Sequence, residues 1–235
     1  MMLHEHFFDS RQALIDALIA RCETRLTSCV ETSKSAAFYV SGGSTPELVY
    51  KALSERHLPW ANIHIAMVDE RWVDVDHPRS NEAFLNRCLR INHAAQAPFV
   101  GMKNPAESPC EGWSDCEKSF QALPEKSGIC ILGMGGDGHT ASFFPHAEGL
   151  NNALQCEAFV AALTAIPSVV TGDEVDRMTM TLHAIQQSGE IVLLITGEDK
   201  LAVYRQALEQ GDIADMPVRA VLQQSQTPVH VFWAA

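Results

Sequence analysis

Several short runs of this chain are apolar from end to end or nearly so. They are Ala36-Ala37-Phe38-Tyr39-Val40, Ile63-His64-Ile65-Ala66-Met67-Val68, Gly128-Ile129-Cys130-Ile131-Leu132 and Ile191-Val192-Leu193-Leu194-Ile195. A strand that is apolar on both faces must be covered on both faces, which is the situation of a parallel sheet packed between helices. Helical patterns separate the runs. Ala13, Leu14, Ala17, Leu18, Cys22 and Leu26 recur at helical spacing over 9–30, with Asp9 and Gln12 placed as a capping pair. A second helix is predicted from Pro46, a third from Ser80 to about Arg90, a fourth over 111–123 and a fifth over 198–210. The expectation is an α/β fold with a mostly parallel central sheet and helices on both faces, built as a single domain over residues 1–235. Met178-Thr179-Met180-Thr181-Leu182 alternates and predicts a strand with one wetter face, while Val229-His230-Val231-Phe232 is expected to close the sheet.

Charge narrows the partners. Seventeen Lys and Arg stand against 29 Asp and Glu, a formal charge of −12, so nucleic acid and anionic membrane surfaces are repelled at long range. A small molecule fits better, and if it is an anion the few basic residues must gather where it docks. The amino terminus lacks the basic-then-apolar order of a signal peptide, and no apolar run approaches the roughly 20 residues of a membrane span. Seven cysteines are scattered, odd in number and without a Cys-x-x-Cys pair, which argues for reduced structural thiols in a cytoplasmic protein.

Three apolar runs end in segments suited to chemistry. After Leu132 comes Gly133-Met134-Gly135-Gly136-Asp137-Gly138-His139-Thr140-Ala141-Ser142-Phe143-Phe144-Pro145. Glycines at a strand's carboxyl end let backbone amides approach a ligand, and carboxyl ends are where open α/β sheets bind ligands. A neutral His139 there can take a proton from water, with Asp137 beside it to orient the ring or to meet the substrate. A metal set of His139, Asp137 and His146 has no recognised ligand spacing. After Val40, Ser41-Gly42-Gly43-Ser44-Thr45-Pro46 reads either as a plain strand-to-helix turn or as a phosphate cradle. Asp69-Glu70-Arg71 reads either as a surface ion pair or as a rim that offers the Arg71 guanidinium to a phosphate or carboxylate, with Arg79 and Asn81 within reach. Lys200 and Arg177, each near a strand end, are further candidates for an anion contact.

In this order, and with Trp72-Val73, Ser80-Asn81, Arg177-Met178-Thr179 and Thr196-Gly197-x-x-Lys200, these segments resemble the 6-phosphogluconolactonases over nearly the whole chain. The resemblance implies a Rossmann-like fold shared with glucosamine-6-phosphate deaminases, and hydrolysis of a sugar-phosphate lactone without metal or organic cofactor. It implies His139 as general base with Asp137 beside it. It implies substrate contacts from Gly42, Gly43, Ser44, Thr45, Arg71, Asn81 and Lys200, assisted by Arg177, although Asp176 precedes Arg177 where the family often has Pro. The related deaminases continue Gly-His-x-Ala-Phe-Asn-Glu-Pro and Asp-Glu-Tyr, where this chain has Phe143-Phe144-Pro145 and Asp69-Glu70-Arg71. A sugar-phosphate sensor would need a DNA-binding segment, and no helix-turn-helix or basic face is evident.

Overall fold

The continuous apolar runs become the centre of the sheet because only there are both faces covered: residues 36–40 and 129–132 are buried without exception. The computed structural model describes residues 2–235. Its strands are β1 (Leu3–Phe8), β2 (Ala36–Val40), β3 (Ile63–Met67), β4 (Asp69–Arg71), β5 (Phe99–Val100), β6 (Ile129–Leu132), β7 (Val160–Thr164), β8 (Asp176–Met180), β9 (Ile191–Thr196) and β10 (Val229–Ala234). Its helices are α1 (Arg11–Ser33), α2 (Glu47–Ser54), α3 (Asn81–Cys88), α4 (Pro109–Gln121), α5 (Leu150–Gln155), α6 (Leu182–Gln186), α7 (Glu198–Leu208) and α8 (Val218–Gln223). Among the described residues, seven strands form one sheet in the order β1-β10-β9-β6-β2-β3-β5, with every neighbouring pair parallel. Helices flank it, as the α/β reading requires.

The strand order reverses direction between β2 and β6. From β2 the chain builds outward through β3 to β5, and from β6 it builds the other way through β9 and β10. Loops leaving neighbouring strands on either side of such a point diverge and open a crevice at the carboxyl edge. Here those two loops are the 41–46 turn and the glycine loop at 133.

A small antiparallel sheet, β4-β8-β7, grows from that same edge, since the chain runs from β3 through Val68 directly into β4. The triplet 69–71, expected as a polar cluster at a strand end, is therefore a strand of its own. Strand β8 corrects the expectation of a wetter face: Arg177, Met178, Thr179 and Met180 are all buried. Its polar side chains satisfy themselves inside, the Thr179 hydroxyl donating to the Met180 carbonyl and accepting from the Ser142 amide.

Two caps also differ from expectation. Helix α1 is capped by Ser10, whose hydroxyl accepts from the Ala13 amide at 3.1 Å, while Gln12 turns to Asp16. Pro46 occupies the cap position of α2 rather than its first turn, without a side-chain cap. Ser80 does cap α3, accepting from the Ala83 amide.

Nor does β10 close the sheet. It lies between β9 and β1, and β1 forms the edge, unforeseen because His4, Glu5 and His6 made its pattern polar. That edge carries a histidine cluster. The ring of His4 stacks on its cross-strand partner His230 with centroids 4.7 Å apart, and His6 Nε2 lies 3.1 Å from His230 Nδ1. Arg21, paired with Glu190, donates to His230 Nε2 at 2.6 Å, so His230 Nδ1–H must be the donor to His6. Burial, then the charge of Arg21 and the neighbouring histidines, hold His230 down to about 3, and burial with Arg21 also lowers His6.

The folded state thus prefers neutral imidazole. The corresponding stability is complete above the unfolded value near 6.5 and is lost as pH falls below it, at about 1.4 kcal/mol per unit for His230. His230→Gln preserves an acceptor toward Arg21 and a donor toward His6 but cannot titrate. It is expected to shrink the stability difference between pH 7.5 and pH 5 by about 2 kcal/mol in urea denaturation. Equal pH slopes for the two proteins would remove His230 as the source.

Candidate active site

Four neighbouring strands, β9, β6, β2 and β3, end on one cavity of about 420 Å³. The turn from Ser41 to Pro46 forms one side and the glycine loop from Gly133 to Gly136 another; Arg71, Asn81, His139 and Lys200 also line it. These segments lie far apart in sequence and meet because parallel strands end together.

Local geometry explains the glycines. The Gly135 amide donates to the His139 carbonyl at 2.8 Å and Gly138, at φ 79°, donates back to the Gly135 carbonyl, closing a tight loop that Thr140 Oγ1 ties to Gly133. A Cβ on Gly135 would stand 2.0 Å from His139 Nδ1, so only glycine leaves room for the imidazole. Gly42 is constrained in the same way by another cavity residue, since its Cβ would lie 2.0 Å from Asn81 Oδ1. Gly42→Ala is expected to push Asn81 from the wall and raise KM several-fold with little change in unfolding midpoint. A wild-type KM would show that the Asn81 position is unimportant.

His139 is held by Asp137. Their Nδ1 and Oδ1 atoms are 2.5 Å apart, and the same oxygen accepts the His139 backbone amide at 3.1 Å. Burial raises the Asp137 carboxyl, but the hydrogen bonds and charge from His139 outweigh it and leave it below the ordinary value. An ionised Asp137 can only accept, so in the neutral imidazole the proton sits on Nδ1 and the lone pair on Nε2. Behind the ring lies Phe144, with centroids 4.4 Å apart.

Lys200 reaches the cavity from the first turn of α7, near Gly136. Burial lowers its ammonium and the charge of Asp137 opposes that fall. Arg71 lies across the cavity, its Nη1 donating to the Arg79 carbonyl at 2.5 Å and its Nε buried without a partner among the described residues. Asn81 is locked to β4 by an Nδ2 bond to the Asp69 carbonyl at 3.0 Å.

Two expected anion contacts sit elsewhere. Arg177 is 1% exposed and does not line the cavity; β8 places it opposite Arg71 in the antiparallel pair, with its guanidinium bonded to the Glu174 and Thr171 carbonyls and lying 5.2 Å from the Phe144 ring. Arg79 turns outward to pair with Glu174 at 2.6 Å. His146 faces Asp215, away from His139 and Asp137.

Conversely, the sequence reading passed over Asp69 and Val170. Asp69 lines the cavity and accepts from the Ser142 hydroxyl at 2.7 Å, and its place beside Arg71 at a strand end was the available signal. Val170 comes from the connection between β7 and β8, where nothing local marks it.

Comparisons with known proteins agree over almost the full length. The family model described as glucosamine-6-phosphate isomerases/6-phosphogluconolactonase matches residues 9–233. A 6-phosphogluconolactonase of Rhizobium meliloti is 35% identical over 234 residues, covering 100% of both chains. One from Mesorhizobium japonicum is 36% identical over 227 residues, covering 97% of this chain and 93% of the relative. The crystal structure of a 6-phosphogluconolactonase from Shewanella baltica superposes with a TM-score of 0.94 at 38% identity, over 99% of this chain and 98% of the other.

Proposed function

The chain belongs to the glucosamine-6-phosphate isomerase/6-phosphogluconolactonase family, and from that premise we propose that it hydrolyses 6-phospho-D-glucono-1,5-lactone to 6-phospho-D-gluconate with His139 as general base. The observation that carries the reading is the Asp137–His139 pair, 2.5 Å apart, on the edge of a cavity also lined by Arg71, Lys200 and the 42–45 turn.

In this mechanism Nε2 of His139 takes a proton from water as the water oxygen bonds to C1 of the lactone. The carbonyl electrons move onto its oxygen, and amides of the glycine loop or the Lys200 ammonium stabilise that charge. When the carbonyl re-forms, the C1–O5 bond breaks and the imidazolium returns its proton to O5, giving the open acid. Asp137 keeps the base in the competent tautomer and stabilises the imidazolium. The amides and hydroxyls of Gly42, Gly43, Ser44 and Thr45 at the start of α2, with Arg71 and Asn81, hold the phosphate or position the sugar. Arg177 contributes its charge from behind the wall and supports the Phe144 ring on which His139 rests.

The same reading treats residues 1–235 as one catalytic domain acting in the cytoplasm, in the oxidative branch of the pentose phosphate pathway. The direct test is the disappearance of freshly generated 6-phosphogluconolactone, corrected for its spontaneous hydrolysis. Acceleration is expected; a rate no faster than the blank overturns the proposal. Gluconolactone without its phosphate is expected to lose kcat as well as affinity, because binding at C6 orients C1. A loss confined to KM would show that the phosphate serves only for capture.

A further inference from the structure

The segment 166–172, between β7 and β8, brings one side chain, Val170, to the cavity, and the proposed reaction gives it no role. It leaves apolar side chains in solvent: Ile166, Val169 and Val170 are 56%, 105% and 47% exposed. The backbone beneath them is nevertheless firmly built. The Gly172 amide donates to the Ser168 carbonyl at 2.8 Å, the Ser168 amide to Thr171 Oγ1 at 2.8 Å, and Thr171 itself is buried. Val170 alone of the three apolar side chains lines the cavity, on which Arg71 also stands.

Arg79 bonds directly to this turn. Its Nη2 donates to the Thr171 carbonyl at 2.7 Å, and Arg177 Nη2 donates to the same oxygen at 3.1 Å. Gly172, at φ 67°, lies directly on the Arg79 guanidinium, where a Cβ would stand 1.8 Å from Nη1. Glu174 holds the guanidinium from its other side at 2.6 Å. Meanwhile the Arg79 carbonyl accepts from Arg71 Nη1. One residue therefore joins two walls of the cavity, Arg71 through its backbone and Val170 through its side chain.

We propose that Val170 is a specificity-determining side chain for the phosphorylated lactone, and that Arg79 is the positioning residue that sets it at the rim. The inference rests on the proposed reaction for its substrate. A sugar phosphate presents C–H faces between its charged and hydroxyl groups. A valine facing the same space as a guanidinium covers such a face while the guanidinium takes the charge. Turned toward solvent, the same valine would leave the sugar wet and the neighbouring charge screened.

Two measurements on the full chain test this. In lactone kinetics, Val170→Ala is expected to raise KM about fivefold and Val170→Asp about twentyfold, with kcat within about threefold of wild type. Arg79→Gln is expected to raise KM like Val170→Ala, Arg79→Lys to recover part of the loss, and the Arg79→Gln, Val170→Ala pair to be no worse than Arg79→Gln alone. Wild-type KM in both Val170 variants, or additive losses in the pair, overturns the proposal. Hydrogen exchange, which needs no substrate, is expected to run at least about tenfold faster at the Thr171 and Gly172 amides in Arg79→Gln. Unchanged exchange overturns the positioning role. An inactive wild type defeats the reaction, and with it the assignment of Val170, while exchange still decides the role of Arg79.

Discussion

His139→Ala is expected to lower kcat for lactone hydrolysis by about 10²- to 10⁴-fold, the range of a positioned general base, with far less effect on KM. The fold should survive the change. His139 stands on the cavity rim, its side chain is about one-fifth exposed (21%), and Asp137 keeps the backbone amide of residue 139 as a donor after the ring is gone. Asp137→Asn separates tautomer control from base strength. An amide facing Nδ1 can donate, which moves the ring proton to Nε2 and leaves no lone pair toward the water, so a loss of at least about tenfold in kcat is expected. The measurement is steady-state hydrolysis beside a denaturation curve for each variant. A folded His139→Ala protein with wild-type kcat would keep the reaction and eliminate this base. A wild-type rate for Asp137→Asn would show that the ring holds its tautomer by other means.

Glu70→Ala is expected to be the most destabilising single truncation at the site, by about 3 to 5 kcal/mol. Glu70 is 1% exposed and its carboxylate accepts the Arg71, Asn81 and Glu82 amides at 2.7, 2.9 and 2.8 Å and the Ser80 hydroxyl at 3.0 Å. Two of those amides are first-turn groups of α3, which have no partner within the helix. Alanine would leave one buried and two partly buried amides and a buried hydroxyl without their acceptor together, each costing about 1 kcal/mol. Because the same bonds align Arg71 with Asn81, activity should fall along with stability. Glu70→Gln, which retains one acceptor oxygen, should fall between alanine and wild type in guanidinium midpoint. A midpoint for Glu70→Ala within about 1 kcal/mol of wild type would mean that water replaces the carboxylate.

Glu70 also shows how sequence and structure divide the information. The triplet Asp69-Glu70-Arg71 drew notice as a rim with a basic fork, and Arg71 does line the cavity. That its middle residue ties a strand to the start of α3 depends on contacts eleven and twelve positions away, which no local pattern expresses. The same limit applies at β8. Alternation of Met with Thr predicts a half-wet strand, yet β8 is the middle strand of the small sheet, packed by α4 and α6 and by the chain at Ser142, and Thr179 is fully buried. At β1 the opposite occurred, since a polar pattern concealed an edge strand that needs little burial.

By itself the sequence determined the parallel core, and of the candidate site residues it singled out, His139, the 42–45 turn, Arg71, Asn81 and Lys200 line one cavity, with Asp137 bonded to His139. All of these but Asn81, which opens α3, follow an apolar run closely, and the carboxyl ends of neighbouring parallel strands must lie on one edge, so a local signal was enough to place them. Only the tertiary structure decided which charges stand behind that wall. Arg177 and Arg79 read in sequence as candidates for an anion contact, but antiparallel pairing buries the first opposite Arg71, and the turn at Thr171 draws the second away from the cavity. The direction of a long side chain is set by the partners its guanidinium finds, and for Arg79 that partner, the Thr171 carbonyl, lies 92 positions further along the chain.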